Sequence, residues 1–175
     1  MNWFTADQHF DHEELIYTYC TRPFNKLHVH NRTLINNHNR LVNKDDIVYH
    51  LGDFTLRGPE NKHHIERWVR QLNGHNILIL GNHDKLKPFD YVDIGFESVH
   101  TYLKVGEFNL IHDPAVATVK PDELWLCGHV HRLFEKSRNA VNVGVDVRSF
   151  YPISEDELRK LYPYVNNTKT KGEKQ

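Results

Sequence analysis

Five short apolar runs in this chain each lead, within two residues, into a cluster of Asp, Asn or His side chains. Apolar runs of four or five residues bounded by turn residues are typical of buried β-strands. The runs and their clusters are Asn2 to Ala6 with Asp7-Gln8-His9, Ile47 to His50 with Gly52-Asp53, Ile77 to Leu80 with Gly81-Asn82-His83-Asp84, Phe108 to Ile111 with His112, and Leu124 to Cys127 with Gly128-His129-Val130-His131.

The segments between and after these runs complete the pattern of an α/β fold. Two further strands are predicted, at Val99 to Val105 and at Val141 to Val147. Apolar residues at helical spacing predict helices over Leu27 to Val42 and His64 to Leu72. A third helix is predicted to begin at Ser154, where a serine followed three residues later by glutamate is a helix-start signal.

Length and composition indicate a single domain. The 175 residues contain no linker rich in Ser, Gly or Pro, so we predict one domain over residues 1–165. Residues 166–175 contain no large apolar side chain and are predicted to form a disordered polar tail. Cys20 and Cys127 form no CxxC pair and are expected to be free thiols.

Charge and hydropathy restrict the partners and the location. The 22 Lys and Arg residues nearly balance the 23 Asp and Glu residues, so the overall charge does not indicate a large surface for nucleic acid. This balance does not exclude a local basic groove. No apolar run is long enough to span a bilayer. The first seven residues lack the basic and apolar regions of a secretory signal. We therefore expect a cytoplasmic protein without membrane contact. The sequence does not indicate its oligomeric state.

The polar clusters are expected to meet at one site. In an open α/β sheet the loops at the strand ends converge, and ligands bind there. Glycines at positions 52, 81 and 128 would let the backbone turn sharply at these ends. Because 14 of the 175 residues are histidine, a metal site is the favoured interpretation. Asp, Asn and His ligands without Cys suit a borderline divalent ion, Mn above all with Fe, Zn, Co or Ni as alternatives, and argue against structural zinc.

In order and spacing, these motifs resemble those of the calcineurin-like metallophosphoesterases, over about residues 2 to 147. The resemblance implies a four-layer α/β/β/α sandwich of mixed sheets, with a two-metal site at the strand ends. It implies that the first metal is held by Asp7, His9 and His131. It implies that the second is held by Asn82, His112 and His129, and that Asp53 bridges the two. His83 would face the substrate, supported by Asp84.

Other histidines near the motifs leave alternatives open. His100 is a rival to His112 for the ligand between residues 84 and 128. His12 is expected to be an outer residue at the start of a helix rather than a third ligand in its motif. His50 lies three residues before Asp53 and is a candidate to orient a ligand from behind.

The chemistry expected from these residues is hydrolysis of a phosphoester by a metal-activated water, with His83 assisting the leaving group. No cap domain is visible, which favours an open site and a phosphodiester, nucleotide or nucleic-acid end over a small monoester. Arg22 and Arg57 are candidate phosphate ligands, with solvated or acid-paired arginines as the alternative. The rival function is a non-catalytic metal-binding scaffold of the same fold.

Overall fold

The computed structural model describes residues 1–56, 58–115 and 123–163, so the predicted tail and Arg57 lie outside the described residues. Within these ranges the strands are β1 (Asn2–Thr5), β2 (Ile47–His50), β3 (His75–Ile79), β4 (Ser98–His100), β5 (Leu103–Val105), β6 (Phe108–Leu110), β7 (Leu124–Cys127), β8 (Lys136–Ser137), β9 (Ala140–Asn142) and β10 (Ile153–Ser154). The α-helices are α1 (Leu27–Leu41), α2 (Lys62–Val69), α3 (Pro88–Asp93) and α4 (Glu155–Leu161).

The strands form two mixed five-stranded sheets, which confirms the predicted sandwich of mixed sheets with helices. The first sheet has the order β10-β1-β2-β3-β4, in which β1 to β4 run parallel and β10 is antiparallel. The second has the order β5-β6-β7-β9-β8, in which β6, β7 and β9 run parallel. A parallel bridge between Ala6 and Gly144 connects the chain just after β1 with the chain just after β9.

Apolar side chains fill the space between the two sheets and the space beneath the helices. Phe4, Leu51 and Ile79 of the first sheet region pack against Phe108 and Leu126 of the second in one buried cluster. A second buried cluster joins α1, α2 and α3 to the other face of the first sheet. The sandwich thus holds the carboxyl ends of parallel strands from both sheets in fixed positions. Among the described residues no helix is both long and apolar enough to cross a membrane.

Two of the predicted strands differ from the structure in more than their end residues, and β8 and β10 were not predicted. The run from Val99 to Val105 is not one strand, because β4 belongs to the first sheet and β5 to the second. The predicted strand from Val141 to Val147 ends early, at Asn142, and residues 145–147 form a 3₁₀ turn. The Asn142 side-chain oxygen accepts the N–H of Gly144 at 2.7 Å, which turns the chain out of the strand.

The predicted helices are present with small shifts at their ends. The Ser154 hydroxyl accepts the N–H of Glu157 at 3.2 Å, which confirms the predicted cap of α4. The sequence patterns missed α3 and a five-residue π-helix, Leu15–Tyr19. Such wide turns are rare and concentrate at functional sites. This one carries the chain from the first motif to Cys20, which is half-buried and free.

His38 on α1 is buried and gives the fold a measurable acid sensitivity. Its Nε2 donates to the Asn73 carbonyl at 2.9 Å, and burial lowers its pKa from 6.5 to about 4. The unfolded chain therefore takes up this proton at a higher pH than the folded chain. The stabilisation is complete above pH 6.5 and is lost as the pH falls toward 4, at a cost of about 3 kcal/mol.

We expect His38→Gln to flatten the fall in unfolding free energy between about pH 7 and about pH 4. Glutamine keeps an N–H donor near the position of Nε2 but does not titrate. Denaturant titrations of the metal-free protein at both pH values measure the difference. His28→Gln, on the exposed side of the same helix, is the matched control and should keep the wild-type slope. An unchanged slope in His38→Gln would show that His38 does not contribute to the acid sensitivity, which the other buried histidines would then account for.

Candidate metal centre

The first group of candidate ligands combines the first and last motifs. One ligand atom from each of Asp7, His9 and His131 lies within 4.8 Å of the other two. The Nε2 of His9 is buried and has no hydrogen-bond partner. The Nδ1 of His131 donates to Asp146 at 2.8 Å, so its Nε2 is the nitrogen that a metal ion would take. Asp7 accepts the N–H of His129 with both carboxylate oxygens, each at 3.0 Å.

The second group brings together the middle motifs. Ligand atoms of Asp53, His112 and His129 also lie within 4.8 Å of one another. The Asn82 side-chain oxygen joins them, at 3.0 Å from His112 Nε2 and 2.9 Å from His129 Nδ1. His112 Nδ1 lies 2.7 Å from the carbonyl of Leu51, to which it can only donate, so its Nε2 is the nitrogen that faces the group.

The carboxylate of Asp53 lies between the two groups. Its Oδ2 is 3.5 Å from His9 Nε2 in the first group and 3.4 Å from His112 Nε2 in the second. Its Oδ1 accepts the backbone N–H of His83 at 2.8 Å, which holds the carboxylate in this orientation. Asp53 therefore lies within reach of candidate ligand nitrogens from both groups.

The backbone of the candidate ligands is unusual. Left-handed backbone angles are uncommon for residues other than glycine and cost of the order of 1 to 3 kcal/mol each. Such strain concentrates at functional sites, where the surrounding structure enforces it. Positive φ angles between 46° and 71° occur at five candidate ligands, which are Asp7, His9, Asp53, His129 and His131.

The glycines of the motifs allow a sharp turn and close contacts. Gly52 has a φ of +87°, as expected for a sharp turn, and a Cβ there would also lie 2.5 Å from His112 Nδ1. Gly81 and Gly128 are needed for close approach alone. A Cβ on Gly81 would collide with the Asp53 carboxylate, and one on Gly128 would lie 2.9 Å from the carboxylate of Asp7. Any larger residue would displace the carboxylates that the two groups need.

Burial and neighbouring charges set the protonation of the centre. Burial, reinforced by Arg22, lowers the pKa of His9 well below its usual value, so this ring is neutral and offers a lone pair. Burial opposes protonation of His112, but the Asp53 and Asp7 carboxylates outweigh it and raise its pKa to about 9. Without a metal ion, His112 is therefore protonated at neutral pH, and its positive charge is attracted to the carboxylates of Asp53 and Asp7.

The donor set fits divalent metal ions. Carboxylate oxygens, one amide oxygen and imidazole nitrogens face each other in two adjoining groups, without a thiolate in either. Borderline ions such as Mn, Fe, Co, Ni and Zn prefer this mixture. The unpartnered Nε2 of His9 is the sharpest sign, because a buried polar atom without a partner is costly unless a ligand satisfies it.

His83 and Asp84 stand in different relations to the centre. The His83 ring is partly exposed and lies 5.3 Å from the His9 ring, beside both groups. The sequence-based expectation that Asp84 supports this ring directly does not match its contacts. Both Asp84 oxygens are used by backbone N–H donors, those of Gly81, Asp53 and Phe54. Asp84 therefore positions His83 through the backbone of the loop.

The histidines left open by the sequence now have defined surroundings. His112 lies in the second group, whereas His100 on β4 bonds to Ser98 at 3.0 Å. His12 is buried, with its Nδ1 at 3.1 Å from the Nδ1 of His9. It therefore contacts the back of a candidate ligand, a role that the sequence pattern did not indicate.

His50 and Arg22 both act behind the ligands. His50 is completely buried between Gln8 at 3.0 Å and Asn76 at 2.8 Å, so it holds the loop between Asp7 and His9. Of the two alternatives for Arg22, the acid-paired arginine is confirmed and the phosphate ligand is not, because its guanidinium is buried and bonded to Asp146 inside the protein. Its carboxylate partner, Asp146, was missed by sequence analysis because it belongs to none of the five clusters.

Two proteins similar to this chain have no named activity. No family model matches the chain. The uncharacterised protein MJ1445 of Methanocaldococcus jannaschii is 34% identical over 166 residues, which cover 89% of this chain and 88% of that protein. A crystal structure of AQ665 from Aquifex aeolicus, a protein of unknown function, matches with a TM-score of 0.71 and 27% identity. That match covers 92% of this chain and 98% of AQ665.

One similar structure belongs to a protein with a named activity. The nuclease MPE of Pseudomonas putida matches with a TM-score of 0.51 and 23% identity, over 74% of this chain and 61% of the nuclease. At this identity the match shows a shared fold and no more.

Proposed function

This chain belongs to the same family as the M. jannaschii protein MJ1445, and we propose that it is a two-metal-dependent phosphoesterase. The observation that carries the proposal is the position of Asp53 Oδ2, within 3.5 Å of ligand nitrogens from both groups. A carboxylate in that position can hold two cations together against their repulsion. The proposed ions are Mn, with Fe, Zn, Co or Ni as alternatives.

Each half of the centre would hold one ion. Asp7, His9 and His131 would hold the first ion, and the second would be held by Asn82, His112 and His129, with Asp53 shared between the two. When bound, such a pair of cations supplies an activated water and neutralises charge on the phosphoryl group.

The other residues of the site have roles of their own in this proposal. Asn82 provides a neutral oxygen, so that the centre keeps net positive charge for an anionic substrate. His83 donates a hydrogen bond or a proton to the departing oxygen. Asp84 fixes the loop that presents His83, through its bonds to three backbone N–H groups.

The substrate class is proposed from the exposure of the site. Asn82 and His129 are exposed and His83 is partly exposed, so the centre opens to solvent. An open site accommodates an extended phosphodiester, a nucleotide or a nucleic-acid end better than a small monoester that needs enclosure. The nuclease activity named for the P. putida protein is in keeping with this preference, which rests on the exposure alone.

A turnover screen tests the proposal. The full chain, stripped of metal and then supplied with Mn²⁺, is assayed against matched phosphomonoesters, phosphodiesters and cyclic nucleotides. We expect turnover that requires added metal and is faster with the diesters. Two bound metals without turnover on any substrate would favour the rival function, a non-catalytic metal-binding scaffold of the same fold.

A further inference from the structure

Arg22 is at the centre of a buried network behind the first ligand group. Its side chain and that of Asp146 are inaccessible to solvent. A guanidinium has five N–H donors, and each one can be assigned to a partner here. The partners are Asp146 Oδ1 at 2.9 Å, Asp146 Oδ2 at 2.7 Å, the Asp7 carbonyl at 2.7 Å, the Gln8 carbonyl at 3.0 Å and His30 Nε2 at 2.7 Å.

The network reaches two of the three ligands directly. Asp146 Oδ2 also accepts the Nδ1–H of His131 at 2.8 Å, which fixes the tautomer and aims Nε2 at the group. The carbonyls of Asp7 and Gln8 belong to the loop in which Asp7 and His9 have left-handed backbone angles. Arg22 therefore binds the strained loop and the carboxylate that orients His131 at the same time.

We propose that Arg22 and Asp146 are positioning residues that preorganise the Asp7, His9 and His131 group for a metal ion. This inference rests on the proposed function, because it assumes that the group binds metal. Neither residue contacts the metal or the substrate. Their effect is to hold three ligands, drawn from two distant parts of the chain, in a single arrangement before the ion arrives.

Two other interpretations predict different behaviour. A purely structural ion pair would contribute to folding without affecting metal affinity. Alternatively, Asp146 could itself be a ligand, since Cys20, His131 and Asp146 also form a group with ligand atoms within 4.8 Å of one another. Against this, both Asp146 oxygens already accept charged or ring N–H donors.

The test is Mn²⁺ binding to the metal-free full chain, measured by calorimetry with wild-type protein and Asp146→Asn. The carboxylate of Asp146 accepts three N–H donors with its two oxygens, whereas the amide of Asn has only one oxygen that can accept. Loss of such an outer partner typically weakens metal binding about 10 to 100-fold. We expect that loss for one of the two ions and an unchanged affinity for the other. Glu107→Gln is the matched control, because it breaks a two-contact pair with Arg159 outside the network.

Further measurements separate the interpretations. If Asp146→Asn lowers the melting temperature equally with Mn²⁺ and with chelator while both affinities stay unchanged, the pair is structural and the inference is overturned. If Asp146→Asn and Cys20→Ser each abolish binding of the same Mn²⁺ ion, Cys20, His131 and Asp146 act as one ligand group and the inference also fails. If wild-type protein binds no Mn²⁺, the proposed function fails instead.

Arg22→Lys keeps the inference testable if Asp146→Asn does not fold. Lysine preserves the positive charge but cannot supply five N–H donors in a planar fork. Arg22→Lys should lower the affinity for the same one of the two Mn²⁺ ions, and the loss should be smaller than that in Asp146→Asn. Unchanged affinity for both ions in a folded Arg22→Lys protein would contradict the positioning role.

Discussion

Replacing Asp53 by Asn is expected to remove at least one of the two bound metals and to reduce turnover by about 10³-fold or more. The amide keeps an oxygen for the His83 N–H but turns an NH₂ group toward His9 Nε2 and His112 Nε2. Those nitrogens would accept its hydrogens and lose the lone pairs that bind metal. Several kcal/mol of charge stabilisation would be lost with the ion, at 1.36 kcal/mol for each tenfold change in rate.

Elemental analysis of the dialysed protein, together with turnover at saturating Mn²⁺, measures this prediction. Asp93→Asn is the control, because Asp93 is an exposed carboxylate that pairs with Lys62 at 2.7 Å and lies outside the site. The control should keep both ions and full activity. Two ions bound to Asp53→Asn with wild-type affinity would refute the bridging role of Asp53.

Replacing His83 by Ala is expected to slow hydrolysis of alkyl or nucleoside esters about 10² to 10⁴-fold while leaving the metal content intact. This is the range of general-acid assistance, and it corresponds to roughly 2.7 to 5.4 kcal/mol of transition-state stabilisation. The metal ions should remain, because alanine keeps the backbone N–H that orients Asp53. An aryl ester should be affected much less, since a nitrophenolate leaves without protonation.

Parallel assays of an alkyl and a nitrophenyl phosphodiester at saturating Mn²⁺ make this comparison. His63→Ala is the control, because His63 is an exposed histidine on α2 outside the two ligand groups. Equal losses on both esters would mean that His83 stabilises the phosphoryl oxygens instead of the leaving group. Loss of a metal ion would place His83 among the ligands and end its assignment as the acid.

Sequence alone identified the five strands that lead into the candidate ligands and the chemical groups at the ends of those strands. The limits of β2 and β7 match the predictions, because short apolar runs bounded by turn residues are a local signal. All seven predicted ligands lie in the two adjoining groups described above, since the carboxyl ends of parallel strands meet at one edge. Residue type and strand order are properties of the chain itself.

Tertiary structure alone decided how those groups are held. The division of residues 98–105 between two sheets depends on which strands they pair with. The sequence does not reveal it, because a strand has the same alternation of apolar residues in either sheet. The left-handed backbone at Asp7 and His9 is held by hydrogen bonds to Gly52, Asp53 and Arg22, which lie elsewhere in the chain, so it leaves no local pattern. Arg22 and Asp146 are 124 residues apart, and neither lies in a motif. Their pairing is specific because only the folded chain excludes water from both and brings their complementary hydrogen-bonding groups together.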